Sequence, residues 1–148
     1  MRLVFTKGSG KFDRMEVERD GVVQSIDCPK QRIIPHDMVH FAVESTLHRR
    51  GFLTRVLEGE AAVFTMAPSA ESDAVERLVE VMQGDAWSGG DSAPAAMRDL
   101  YRVTCEARAC PMLPVTDDDI DAIRACMRDL DARWAEVPVG GSLELRLD

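Results

Sequence analysis

The 148 residues, 45% hydrophobic and 30% charged, match the size and composition of one ordinary domain with a real core, which excludes a disordered chain. No apolar run approaches the ~20 residues of a membrane span, and the first apolar stretch is too short for a signal peptide, so no membrane partner is expected. The formal charge of −8 is uneven: residues 1–35 carry seven basic and five acidic groups, residues 67–148 eight basic and seventeen acidic. An acidic second half excludes a general nucleic-acid surface, because phosphate contacts need clustered Lys and Arg.

In chain order, Arg2 to Thr6 is an apolar strand, Gly8-Ser9-Gly10 a turn, and Lys11 to Arg19 a second strand. In that second strand Met15 and Val17 share one face, and Arg14, Glu16 and Glu18 the other. Asp20-Gly21 is the pair favoured in a tight type I′ hairpin, and it leads into a third strand from Val22 to Cys28, with Val22 and Ile26 on a common face. Pro35 suits the first turn of a helix, predicted from about His36 to His48 and stopped before Gly51. Phe52 to Leu57 adds a short helix, ended by Gly59, while Ala61 to Met66 reads equally as a buried strand or a linker.

Three longer helices follow. Ser69 caps one from Ala70 to Gln83, with Ala74, Val75, Leu78, Val79 and Met82 inward. Gly84 to Asp91 is predicted as a loop, after which Asp91 or Ser92 caps a helix that holds Pro94 in its first turn and turns Met97, Leu100, Tyr101 and Cys105 inward. Thr116 caps the last, whose Asp117, Asp118 and Asp119 sit at its positive end. Its Ile120, Ile123, Met127, Leu130 and Trp134 repeat at steps of three and four. From Ser142 to Asp148, Leu143, Leu145 and Leu147 alternate with charged residues, the clearest strand of the chain. The economical fold is a single α+β domain over residues 1–148: a four-stranded, mostly antiparallel sheet, made of the N-terminal three-stranded meander and the C-terminal strand, packed against four to five helices.

Chemistry concentrates on the first helix. All three histidines of the chain fall between positions 36 and 48. A step of four residues advances only ~40° around a helix, so His36, His40 and Glu44 form one row, with Asp37 near Glu44 around the axis. Two imidazoles four apart can share a metal ion; Glu44 would then be a third ligand, a general base, or the group that orients a histidine, and Asp37 a supporting partner. Zinc or manganese would suit such a set, and an open position would activate water for hydrolysis. One helix cannot complete a tetrahedral site, so a further ligand must come from elsewhere in the chain. The order also departs from the zinc-protease pattern, which has Glu directly after the first histidine, where Asp37 stands here. The plainer account is structural: Val39, Val43 and Leu47 make an apolar stripe, and histidines at its edge hydrogen-bond to backbone or carboxylate. His48, with Arg49 and Arg50, reads as a charge cluster at the helix C-terminus.

Trp87, in the Gly84–Asp91 stretch, is expected to tuck beneath the domain; exposed, it would serve as a binding lid or partner anchor. Cys28, Cys105, Cys110 and Cys126 show no CxxC pair and read as reduced core or near-core thiols of a cytoplasmic protein. The chain carries neither a glycine-rich phosphate loop nor a serine nucleophile elbow.

The segment Ile33-Ile34-Pro35-His36-Asp37-Met38-Val39-His40-Phe41-Ala42-Val43-Glu44 resembles the signature of a group of uncharacterised bacterial proteins, in which hairpin strands precede a Pro-His-Asp helix with a second histidine. The resemblance is most specific over residues 33–52; it implies a bacterial source and carries no activity with it. Two functions follow from the residues. The first is a small non-catalytic binding protein that presents His36, Asp37, His40, Glu44 and Trp87 to a small molecule or a protein, with no cofactor required. The second is a divalent-metal-dependent hydrolase built on His36, His40 and Glu44. A sheet edge left open by the terminal strand would allow homo-oligomers.

Overall fold

Asp20 and Gly21 both adopt positive φ, 49° and 78°, the conformation that a type I′ turn demands. The turn fixes the register of the hairpin, in a computed structural model that describes residues 2–49, 51–57 and 69–147. Strands β1 (Arg2–Thr6), β2 (Phe12–Arg19) and β3 (Val22–Pro29) form the meander, and β4 (Ser142–Arg146) pairs antiparallel with β1. The spatial order is β3-β2-β1-β4, the four-stranded antiparallel sheet expected of the sequence.

One face of that sheet is apolar. Leu3 and Phe5 of β1, Met15 and Val17 of β2, Cys28 of β3 and Leu145 of β4 are all buried there. The opposite face is polar, and Arg2 lies across its middle, 2.6 Å from Glu18 and 3.0 Å from Glu144. Val22, placed by the alternation on the covered face, is 63% exposed, because it sits at the hairpin tip beyond the reach of the helices.

Among the described residues five helices lie on the apolar side of the sheet: α1 (His36–Leu47), α2 (Phe52–Leu57), α3 (Ala70–Trp87), α4 (Pro94–Ala107), which packs on α3 and α5, and α5 (Asp117–Ala135). Helix α1 packs against α2, α3 and α5, so the histidine-bearing helix is central to the layer. Met38, Val39, Ala42 and Val43 supply its core face. Pro35 is its N-cap residue rather than part of its first turn, and His48 closes it in the left-handed conformation, φ 52°. Ser69 and Thr116 cap α3 and α5 with reciprocal side-chain bonds, and the periodic residues of α5 are all buried.

Three local expectations are corrected. Helix α3 does not stop at Gln83 but runs through Gly84 to Trp87. Gly84 costs a helix only ~1 kcal/mol, and the next residue, Asp85, is buried in an ion pair with Arg124 of α5, 3.2 Å away. Helix α4 starts at Pro94 with Ala93 as N-cap, which has no side-chain acceptor and so gives no side-chain cap, while Ser92 lies one residue earlier with its N–H bonded to Asp85 Oδ1. Leu100 is 52% exposed, one residue off the buried seam of Met97, Tyr101 and Cys105. The Ala61–Met66 run and Gly59 lie outside the described residues. Among the described residues no helix is long and apolar enough to cross a membrane.

Candidate metal centre

His36 and His40 project from successive turns of α1 toward α3, and their rings meet edge to face with centroids 4.8 Å apart. Each ring is held through its Nδ1. That of His40 lies 3.1 Å from Glu44 Oε2, and that of His36 lies 2.8 Å from Oε1 of Gln83 on α3. Gln83 Oε1 also accepts the Nε2–H of Gln31, at 3.0 Å, so it is an acceptor and His36 Nδ1 is the donor. Both rings are therefore fixed with the proton on Nδ1, and both Nε2 atoms are left facing the same side.

On that side stands Glu76 of α3. Its Oε2 is 2.7 Å from His40 Nε2 and its Oε1 is 3.3 Å from His36 Nε2. Two imidazole nitrogens and one carboxylate thus converge, with their ligand atoms all within 4.8 Å of one another. In a tetrahedral zinc site with bonds of ~2.0–2.1 Å, neighbouring ligand atoms lie ~3.3 Å apart; the His36–Glu76 separation matches this, and the shorter His40–Glu76 contact is a direct hydrogen bond that would lengthen around an ion. His40 is enclosed, with 3% of its side chain accessible, while His36 and Glu76 are about one-third accessible, at 35% and 32%. The point of convergence consequently opens to solvent between His36 and Glu76.

Glu44 is held apart from that point. Its carboxylate is wholly buried and both oxygens are occupied: Oε1 accepts from Gly51 N (3.1 Å), Thr54 N (2.9 Å) and Thr54 Oγ1 (2.8 Å), and Oε2 accepts from Leu53 N (3.2 Å) and His40. This is the place of the group that orients a histidine, as metal-binding imidazoles have on their distal nitrogen. The third position, which the row on α1 offered to Glu44, is filled by Glu76.

The charges follow from this packing. Burial works against charge on His40, but the bonds to Glu44 and Glu76 outweigh it and raise its pKa to about 10. Burial likewise opposes, and Glu76 and Gln83 more than restore, the charge on His36, whose pKa is raised. Burial also acts on Glu76, yet the two imidazoles hold it well below the usual carboxylate range. With no metal bound, the cluster is two histidines, both favoured in their charged form, bridged by one carboxylate.

The other predicted site residues go elsewhere. Asp37 points from α1 toward the sheet, where its Oδ2 accepts from the buried Cys28 thiol at 3.2 Å, so it supports no histidine. Trp87 is not tucked beneath the domain: it is 54% exposed at the end of α3, its Nε1 donating to Gln31 O at 2.8 Å. Through Gln31 it is linked to Gln83, and so stands at the margin of the histidine site without facing it.

Glu76 and Gln83 escaped sequence reasoning because they sit on the polar side of an amphipathic helix, where Glu and Gln are commonplace. Only the packing of α1 on α3 distinguishes them. No family model, curated protein or solved structure matches the chain.

Proposed function

We propose that this protein binds one divalent transition metal through His36 Nε2, His40 Nε2 and the Glu76 carboxylate. The observation that carries the proposal is the orientation of the two rings, each anchored at Nδ1 by a dedicated acceptor so that both Nε2 atoms converge on one carboxylate. A histidine pair that served only as a helix contact would need no such matched anchoring. Zinc is the best fit to two imidazoles and a carboxylate, and manganese the weaker one, since it favours oxygen-rich sets.

Three protein ligands with a solvent-facing side make a centre of the open, catalytic type rather than the closed structural type. The reaction class that suits it is hydrolysis, in which the metal would supply an activated water at the open position. Four free cysteines support a reducing, cytoplasmic setting for this chemistry.

One distance favours a second function. His40 Nε2 to Glu76 at 2.7 Å is a complete charged hydrogen bond with no ion, so the cluster can act as an electrostatic clasp between α1 and α3 in a non-catalytic binding protein. Calorimetric titration of tag-free protein with zinc and manganese separates the two. The metal centre requires saturation at one ion per chain, a loss of affinity of about 100-fold or more in His36→Ala, His40→Ala and Glu76→Gln, and a loss of about 10–100-fold in Glu44→Gln. No heat of binding, or variants that bind as wild type does, would leave the clasp as the role of these residues.

A further inference from the structure

A second cluster of reactive side chains lies at the far end of α4, outside the histidine site. Helix α4 ends in a Schellman motif: the Cys110 N–H bonds to Cys105 O at 3.1 Å, the Ala109 N–H to Glu106 O at 3.2 Å, and Ala109 takes the left-handed conformation, φ 51°. This closure brings the side chain three residues before the helix end against the one just beyond it, where proteins ordinarily place a hydrophobic pair. Here both positions are cysteine, and both thiols are free. Cys105 is buried, whereas Cys110 is half-buried and open to small reagents.

Cys105 by itself has the environment of a core cysteine; what sets the pair apart is the more accessible Cys110 thiol beside it. Burial pushes Cys105 up to about 11, with the adjoining Cys110 thiol adding to the shift, while Tyr101 and Arg77 act in the opposite direction. Arg77 is itself buried, 6% exposed, with its Nη2 3.2 Å from Glu80 Oε1 and its Nε without a hydrogen-bond partner among the described residues. Its charge is shared with Glu80, and its pull on the Cys105 thiol is small beside the effect of burial. Tyr101 fixes the frame: its hydroxyl donates to Ala74 O at 2.9 Å and accepts from Leu113 N at 3.2 Å, tying α4 and the segment after Cys110 to α3.

We propose that Cys105 and Cys110 are a redox-active dithiol that closes reversibly to an intramolecular disulfide in exchange with small-molecule disulfides of the glutathione class. The accessible Cys110 thiolate attacks one sulfur of oxidised glutathione, breaks its S–S bond and releases one glutathione thiolate. Cys105 then loses its proton and attacks the Cys110 sulfur, expelling the second glutathione thiolate as the Cys105–Cys110 bond forms. The two protein thiols give up two electrons and two protons, and the small disulfide takes both up as two thiols. The ring so closed spans the Schellman turn and pins the start of the α4–α5 connection.

Trypsin tests this directly, because it cuts after Arg102, Arg108 and Arg124 and so separates Cys105 (peptide 103–108) from Cys110 (peptide 109–124). Native protein is incubated with oxidised glutathione, quenched by alkylation, digested and weighed by mass spectrometry. The two peptides are expected joined, lighter than their sum by two hydrogens, and separate again after dithiothreitol. Cys105→Ser, checked for its native circular dichroism, should stop with glutathione held on Cys110, whereas Cys110→Ser should leave Cys105 unmodified. Recovery of both peptides unlinked from oxidised wild-type protein would overturn the proposal. So would joining to Cys28 or Cys126 at comparable yield.

Discussion

At the scale of single residues, the histidine cluster makes metal-free protein sensitive to pH in a defined direction. The pKa of His40 is raised in the folded state from 6.5 to about 10, and that of His36 is raised as well. A raised folded value means that the stabilisation is fully present below the unfolded pKa and is lost as pH rises through the folded one. Glu76 is lowered from 4.5, so its contribution is present above that value and fails only in strong acid. Stability of metal-free protein should therefore fall between about pH 6.5 and about pH 10. Urea midpoints measured with chelator present would show this, and Glu76→Gln should flatten the profile. An equally steep profile in the variant would place the titrating contact elsewhere. Added metal should oppose the decline, since it binds the neutral imidazoles that appear as protons leave.

Among the elements, the decisive junction is the one between α1, α2 and α3. Glu44 reaches across it, joining His40 to the first turn of α2 through Gly51, Leu53 and Thr54. A Cβ on Gly51 would stand 2.6 Å from both Glu44 Cδ and Val75 Cγ1, and the hydrogen bonds of Glu44 leave it no room to withdraw. Gly51→Ala should accordingly cost about 1–3 kcal/mol, as overpacking does, and should also weaken zinc binding by displacing Glu44. An unchanged denaturation midpoint would show that the junction yields. The end of α4 makes the opposite prediction. Ala109 holds a left-handed conformation that costs an ordinary L-residue ~1–2 kcal/mol and glycine almost nothing. Allowing for the greater unfolded-state entropy of glycine, Ala109→Gly should stabilise by about 0.5–1 kcal/mol. A lowered thermal midpoint would argue against relief of strain there.

For the whole molecule, the proposed centre bridges α1, the most enclosed helix of the layer, to α3. An ion held by both should therefore stabilise the fold rather than a local segment. At a free zinc concentration 100 times its dissociation constant the gain is about 2.7 kcal/mol, which for a chain of this size raises the thermal midpoint by about 5–10 °C. Differential scanning calorimetry with and without chelator would measure it. The shift should vanish in His40→Ala and persist in Cys110→Ser, whose substitution lies outside the proposed ligand set.

Periodicity and turn chemistry alone determined the sheet and most of the helices. Asp20-Gly21 could hardly be anything but a tight hairpin turn, and the leucine alternation after Ser142 and the seam of α5 each allow one partner face. These are short-range signals, set by the pitch of strand and helix. The same logic placed His36, His40 and Glu44 in one row, because four residues nearly complete a turn. Sequence could not reach across space. Gly84 looked like a helix end until the buried Asp85–Arg124 pair carried α3 past it, and Trp87 moved outward with that added turn. Glu76 and Gln83 looked like solvent-facing residues until α3 lay against α1. The division of labour between Glu44, which orients, and Glu76, which faces both imidazoles, depends on which ring nitrogen each touches. That is decided by the packing of two helices more than twenty residues apart in sequence, and no local pattern encodes it.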